Sequence, residues 1–216
     1  MSLRRPQAVV FDLDGTLIDS ESLVREAYMA VSRQFGVPMS DAQFLALVGL
    51  HRAANDVILR GYWGEDFPLE AFHEATRAYV GGRAAPLKPG ALDLMALFAG
   101  WRTPVGLATS SRRPWVERHF TAHGIAGHFA AVVTRDDCEH GKPHPEPYLR
   151  ASADLGAAPA DVLALEDSFA GVRSAHAAGC MTVMIPDLLA PDAEMREKAI
   201  VAETLAQVES LLRGLA

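Results

Sequence analysis

Asp12 and Asp14 stand two residues apart in Asp12-Leu13-Asp14-Gly15-Thr16, directly after the apolar run Ala8–Phe11. A short apolar run that stops at a charge reads as a buried parallel strand. In open α/β sheets, ligands gather at the carboxyl ends of such strands. Two carboxylates placed there repel one another unless a cation relieves them. Gly15 lets the backbone turn sharply away, and Asp14 taken alone would also serve as a turn residue. A second run ends in Thr109-Ser110-Ser111. Hydroxyls and free N–H groups opening a helix suit an anion. Helix capping by Ser111, with Pro114 in the first turn, accounts for the same residues equally well.

Lys142 lies in His140-Gly141-Lys142-Pro143-His144-Pro145-Glu146-Pro147, where three closely spaced prolines stiffen the loop. The chain has only three lysines, Lys88, Lys142 and Lys198. An arginine-rich chain that keeps lysine here wants a compact point charge, or else carries a surface lysine. Cys138, His140 and His144 are zinc-type donors, but no second ligand pair accompanies them. A further run ends in Glu166-Asp167-Ser168, where Asp167 either adds a carboxylate to the strand ends or caps the following helix. Four strand ends each bearing a group that phosphate chemistry uses favour one shared site over four separate structural roles.

The elements that must position these groups follow from the apolar pattern. Runs at 8–11, 105–108, 130–133, 162–165 and 182–185 read as strands, separated mostly by helical patterns such as 169–178, closed by Gly179. Alternation of this kind implies an α/β fold, a doubly wound parallel sheet of Rossmann-like type. Residues 16–83 break the rhythm. Apolar positions 23, 27, 31 and 35 form a helical stripe ended by Gly36, Ser40 to Gln43 reads as a capping box, and 53–59 and 69–80 add further helices. This stretch, residues 16–83, is expected to be a small helical domain inserted into an α/β core of residues 1–15 and 84–216. Gly15–Thr16 and residues 81–83 are the candidate hinges.

The net charge of −7 argues against nucleic acid as a partner, because phosphate backbones need clustered lysine and arginine. One local positive site suffices for a small phosphorylated ligand. No apolar stretch approaches the length of a membrane span or signal peptide. Two cysteines, Cys138 and Cys180, are too few for a disulfide framework, so a reducing cytoplasm is the expected compartment.

Asp12-x-Asp14-Gly-Thr, Thr109, Lys142 and Glu166-Asp167 follow the order of the four motifs of the haloacid dehalogenase superfamily, which the chain resembles over nearly its whole length. The insert resembles the helical cap of the group containing phosphoglycolate phosphatase and β-phosphoglucomutase. The resemblance implies Asp12 as the nucleophile that forms an aspartyl-phosphate, and Asp14 as acid and then base. It implies Thr109 and the Ser110 amide as phosphoryl-binding groups and Lys142 as the neutralising cation. Magnesium would be bound by Asp12, the Asp14 carbonyl and Asp167, with Glu166 assisting. A phosphatase of small phosphorylated metabolites, monomeric or homodimeric, is implied. Residues 16–83 contain no lysine, which removes the Schiff-base branch of the superfamily. Gly49-Leu50-His51-Arg52 is similar to the mutase cap segment, so Arg52 is either a substrate contact or a solvated helix residue. The mutase pattern has a histidine where this chain has Val24, which favours hydrolase over mutase. An inert ligand- or protein-binding module of the same fold is the reading from a different class. Trp63 and Tyr62 are expected to pack between helices.

Overall fold

The computed structural model describes residues 3–48 and 52–215. In chain order the elements are β1 (Ala8–Phe11), α1 (Ser20–Gln34), α2 (Asp41–Leu45), α3 (Arg52–Trp63), α4 (Leu69–Gly81), α5 (Ala91–Trp101), β2 (Val105–Ala108), α6 (Arg113–His123), β3 (Phe129–Val133), α7 (Glu146–Asp154), β4 (Val162–Glu166), α8 (Phe169–Ala178), β5 (Met181–Met184), α9 (Ala193–Lys198), β6 (Ile200–Val201) and α10 (Leu205–Arg213). They form two compact units, one of Met1–Asp19 with Pro86–Ala216 and one of Ser20–Ala85. No helix among the described residues is long and apolar enough to cross a membrane.

The first unit is built on a six-stranded sheet in the order β3-β2-β1-β4-β5-β6, with every neighbouring pair parallel. Every residue of β1, β2, β4 and β5 is buried, which is why these strands read as unbroken apolar runs rather than alternating ones. The fourth strand runs one residue past its apolar stretch, because Glu166 pairs with Met184 and extends the ladder. The sixth strand, only two residues long, lies within the short apolar run Ala199–Ala202 and is not among the expected strands. Helix α7 packs on β1, β2 and β3, α8 on β4 and β5, and α5 against α10.

The division between units falls after Asp19 and after Ala85, rather than after Gly15 and Arg83. Backbone bonds explain the shift. Gly15 N donates to Ile18 O at 2.9 Å, Lys88 N to Leu17 O at 2.9 Å and Asp19 N to Pro86 O at 2.8 Å. These bonds tie 16–19 to the sheet unit, so Gly15–Thr16 is not where the two units join.

The second unit is helical. Its first helix buries Leu23, Ala27 and Val31, the stripe expected from the spacing. Ser40 and Gln43 form the expected reciprocal capping box on α2. Gly49, Leu50 and His51 lie outside the described residues. Phe72 is fully buried at the centre of a ring cluster, with the rings of Trp63, Tyr28, Phe35 and Phe67 at centroid distances of 4.9, 5.3, 5.9 and 5.9 Å. Trp63 thus packs as expected, whereas Tyr62 is 41% exposed.

Truncating a ring with this many partners removes both transfer energy and dispersion contacts. Phe72→Ala is expected to destabilise the helical unit by about 3–5 kcal/mol. Hydrogen exchange would show early loss of protection in α1 and α4, with the amides of β1 and β4 still protected. Simultaneous loss in all four elements would refute an independent core for this unit.

Candidate active site

The strand order reverses direction at β1 and β4: the chain steps outward through β2 and β3 and then returns to the other side of β1. Crevices at such a switch point, beyond the carboxyl ends of the strands, are where open α/β sheets bind ligands. Asp12 follows β1 there, pinned by its N–H to Leu165 O at 2.9 Å. Glu166 ends β4 and Asp167 follows it.

Lys142 reaches this point from the loop before α7. Its Nζ donates to Asp12 Oδ1 at 2.5 Å, Glu166 Oε1 at 2.5 Å and Ala108 O at 2.8 Å, which uses all three ammonium protons. Its side chain is only 4% exposed. Burial acts to lower its pKa, but Asp12 and Glu166 outweigh that and raise it, so the lysine stays charged. Glu166 is fully buried and further accepts from Tyr148 Oη at 2.7 Å and Ser168 Oγ at 3.1 Å.

Asp12, Glu166 and Asp167 place carboxylate oxygens within 4.8 Å of one another. Three carboxylates against one ammonium leave an excess of buried negative charge. Desolvation, opposed by Lys142 and reinforced by Glu166, raises the Asp12 pKa to about 8. Desolvation, with Asp12 and Glu166, raises that of Asp167 to about 9. A hard divalent cation would relieve this strain, and an all-oxygen donor set fits a hard ion of the magnesium, calcium and manganese kind rather than zinc. Two glycines give the carboxylates room. A Cβ on Gly15 would stand 2.2 Å from Asp167 Oδ2, and one on Gly171 would stand 1.9 Å from Glu166 Oε1.

Asp14 is turned toward other groups. Ser111 Oγ donates to its Oδ2 at 2.5 Å, and Trp115 Nε1 donates to its Oδ1 at 3.0 Å. Its carboxylate is not part of the metal-type cluster. Ser111 therefore does not cap α6; the N-cap is Arg112, without a side-chain bond, because Asp14 takes the serine hydroxyl. Nor does Asp167 cap α8, since Ser168 holds that position and accepts from Gly171 N at 3.0 Å. Asp167 is left to accept from Thr16 Oγ1 at 3.3 Å. Thr109 is buried at the end of β2, its Oγ1 accepting from Ser111 N at 2.9 Å, and Ser110 beside it is exposed.

Trp115, Tyr148, Ser168 and Gly171 carry no spacing signal that marks them as site residues. The Asp-x-Asp and Glu-Asp pairs, by contrast, announce themselves. His140 and His144 are exposed and approach Glu146 rather than Cys138. Glu146 spends its oxygens on the N–H groups of Glu139 and His140, at 2.8 and 2.9 Å, which accounts for this trio as a brace of the lysine loop. Arg52 opens α3 in the helical unit, where it pairs with Glu70 at 2.5 Å and approaches Asp56 at 4.0 Å.

Known proteins share both sequence and fold with this chain. Residues 6–179 match the haloacid dehalogenase-like hydrolase family. Validoxylamine A 7'-phosphate phosphatase of Streptomyces hygroscopicus subsp. limoneus is 31% identical over 97% of this chain and 94% of its own. Hexitol phosphatase B of Escherichia coli K12 is 30% identical over 93% and 91%. A candidate β-phosphoglucomutase structure from Thermotoga maritima superposes with a TM-score of 0.83 at 25% identity, covering 97% of this chain and 99% of that one. The chain is an enzyme of the haloacid dehalogenase-like hydrolase family.

Proposed function

We propose that the enzyme is a magnesium-dependent phosphatase that hydrolyses a small phosphorylated metabolite, a sugar phosphate or phospho-acid, through an aspartyl-phosphate on Asp12. The observation that carries this reading is the buried Asp12–Lys142–Glu166–Asp167 cluster with its uncompensated negative charge. The sugar-phosphate class is supported by the names of the two phosphatases above. We take the enzyme as cytoplasmic, monomeric or homodimeric, with no nucleic-acid or membrane partner. The helical unit, Ser20–Ala85, acts as its cap.

In this mechanism Asp12 attacks phosphorus and Lys142 offsets the charge of both nucleophile and phosphoryl oxygens. Thr109 and the Ser110 amide hold the phosphoryl group. Asp12, the Asp14 carbonyl and Asp167 would hold the ion; Glu166, whose oxygens already accept from Lys142, Tyr148 and both the N–H and hydroxyl of Ser168, would assist through water. Magnesium held there would supply electrostatic stabilisation of the transferring phosphoryl. Asp14 protonates the leaving oxygen and then takes a proton from the water that cleaves the aspartyl-phosphate. Trp115 Nε1 can only donate, so Asp14 Oδ1 must remain an acceptor. The transferable proton therefore resides on Oδ2, where the Ser111 hydroxyl can rotate to accept.

A mutase is the second reading. Val24, at the position of the mutase histidine, is half-buried against the core of the helical unit and has no proton to transfer. That favours the hydrolase. The ion pairs of Arg52 favour a solvated helix residue over a substrate contact.

Three outcomes follow. Against a panel of phosphorylated metabolites including β-glucose 1-phosphate, the protein releases phosphate only with magnesium, and Asp12→Asn lowers turnover by at least about a thousandfold. Glucose 6-phosphate without free phosphate would instead establish the mutase, and a function retained by Asp12→Asn would establish a binding module. Trp115→Phe removes one donor from a charged acceptor, worth about 1.5–3 kcal/mol, so kcat should drop roughly ten- to a hundredfold with KM little changed. An unaltered kcat would remove Trp115 from the acid/base apparatus.

The third outcome concerns pH. Unfolded aspartates titrate near about 4, whereas in the metal-free fold Asp12 and Asp167 are raised to about 8 and 9. Between these values the native state binds more protons than the unfolded state, so stability falls as pH rises. In EDTA, Tm should be higher at pH 5 than at pH 8.5, and magnesium should raise it more at pH 8.5. A metal-free Tm that climbs over this interval would contradict the buried charge excess.

A further inference from the structure

Asp187 follows β5 in the sheet unit, and the mechanism above gives it no role. Its two carboxylate oxygens have unlike surroundings. Oδ1 accepts from Lys88 Nζ at 2.7 Å, and that lysine also lies 3.7 Å from Asp19. Oδ2 is buried and has no hydrogen-bond partner among the described residues. Buried carboxylate oxygens are costly without a donor, and such exceptions call for a specific explanation.

The position of this oxygen supplies one. A Cβ built on Gly15 would lie 3.2 Å from Asp187 Oδ2 and 2.2 Å from Asp167 Oδ2. Both oxygens therefore flank the same point at the turn after Asp14. Asp187 is also one of the charges that raise the Asp167 pKa, after desolvation and the nearer carboxylates. Lys88 bonds Oδ1 and leaves Oδ2 without a donor. The hydroxyl of Thr16 is directed to Asp167 Oδ1 at 3.3 Å and is not the missing donor. A group bound beside Asp167 would supply the donor that the protein itself does not.

We propose that Asp187 is a metal-positioning residue, whose Oδ2 accepts a hydrogen bond from a water ligand of the divalent ion held by Asp12 and Asp167. This rests on the reading that such an ion is held there. Lys88 holds Oδ1, which leaves Oδ2 for the ion's water, and the pair acts as an outer brace of the site. Outer-shell carboxylates of this kind typically alter metal affinity by about 10–100-fold.

The test is titration calorimetry of magnesium into the full chain, without substrate, for the wild type, Asp187→Asn, Asp167→Asn and Asp19→Asn, with thermal melts in EDTA to confirm folding. Asp187→Asn is expected to weaken magnesium by about 10–100-fold. Asp19→Asn, which removes an equal charge from the same lysine, is expected to weaken it by less than about threefold. Magnesium affinity of Asp187→Asn within about twofold of wild type, or an equal loss in Asp19→Asn, would overturn the proposal while Asp167→Asn still abolishes binding. Undiminished binding by Asp167→Asn would instead overturn the metal reading itself. Should Asp187→Asn fail to fold, Asp187→Ser is read by the same criteria.

Discussion

A single buried ammonium joins the carboxylates on which the proposed chemistry depends. Lys142 spends its three protons on Asp12, Glu166 and the Ala108 carbonyl, so it links β1, β4 and β2 at one end of the sheet. Taking a lysine out of water is unfavourable, and only close anions return that cost. Here both carboxylates lie at 2.5 Å. The surrounding fold serves this contact. The loop carrying Lys142 is stiffened by prolines and braced by Glu146, and Tyr148 on the following helix donates to the same Glu166 oxygen.

The arrangement is deliberately short of positive charge. One lysine balances one of three clustered carboxylates, and the remainder is left for a cation. That deficit makes a metal-free fold carry strained acids, and it makes a phosphate-bearing ligand acceptable once a cation arrives. Gly15 and Gly171 matter for the same reason: each stands where a methyl group would displace a carboxylate. The Asp14 carboxylate is kept apart, held by two donors of its own, which suits the proton transfers proposed for it.

The helical unit obeys different constraints. Its stability comes from a cluster of aromatic rings around Phe72, and its polar helix faces carry exposed ion pairs such as Arg52 with Glu70. Exposed pairs contribute little to stability, so that surface is free to vary without loss of the fold. A chain built this way keeps its reactive groups on the rigid sheet and leaves the helices to be tuned separately.

Strand identity, the parallel sheet, the helical stretch and the acidic pairs were legible from residue order, because burial on both faces, helical periodicity and motif spacing are local properties. The stripe of α1, the capping box of α2 and the carboxylates after β1 and at the end of β4 all follow from neighbours along the chain. The partners of those carboxylates do not. Ser111 reads as a helix cap until it meets Asp14, 97 residues away in the chain, and Trp115 meets the same carboxylate across 101 residues. The joins between the units moved to 19–20 and 85–86 because of backbone bonds between 15–19 and 86–88. The strand order brings Asp12 and Glu166 side by side, the loop before α7 brings Lys142 to them, and no local spacing encodes that meeting. The sequence by itself determined which groups could do the chemistry; the tertiary structure decided which proton donors they meet, because those contacts are made between strand ends and loops distant in the chain.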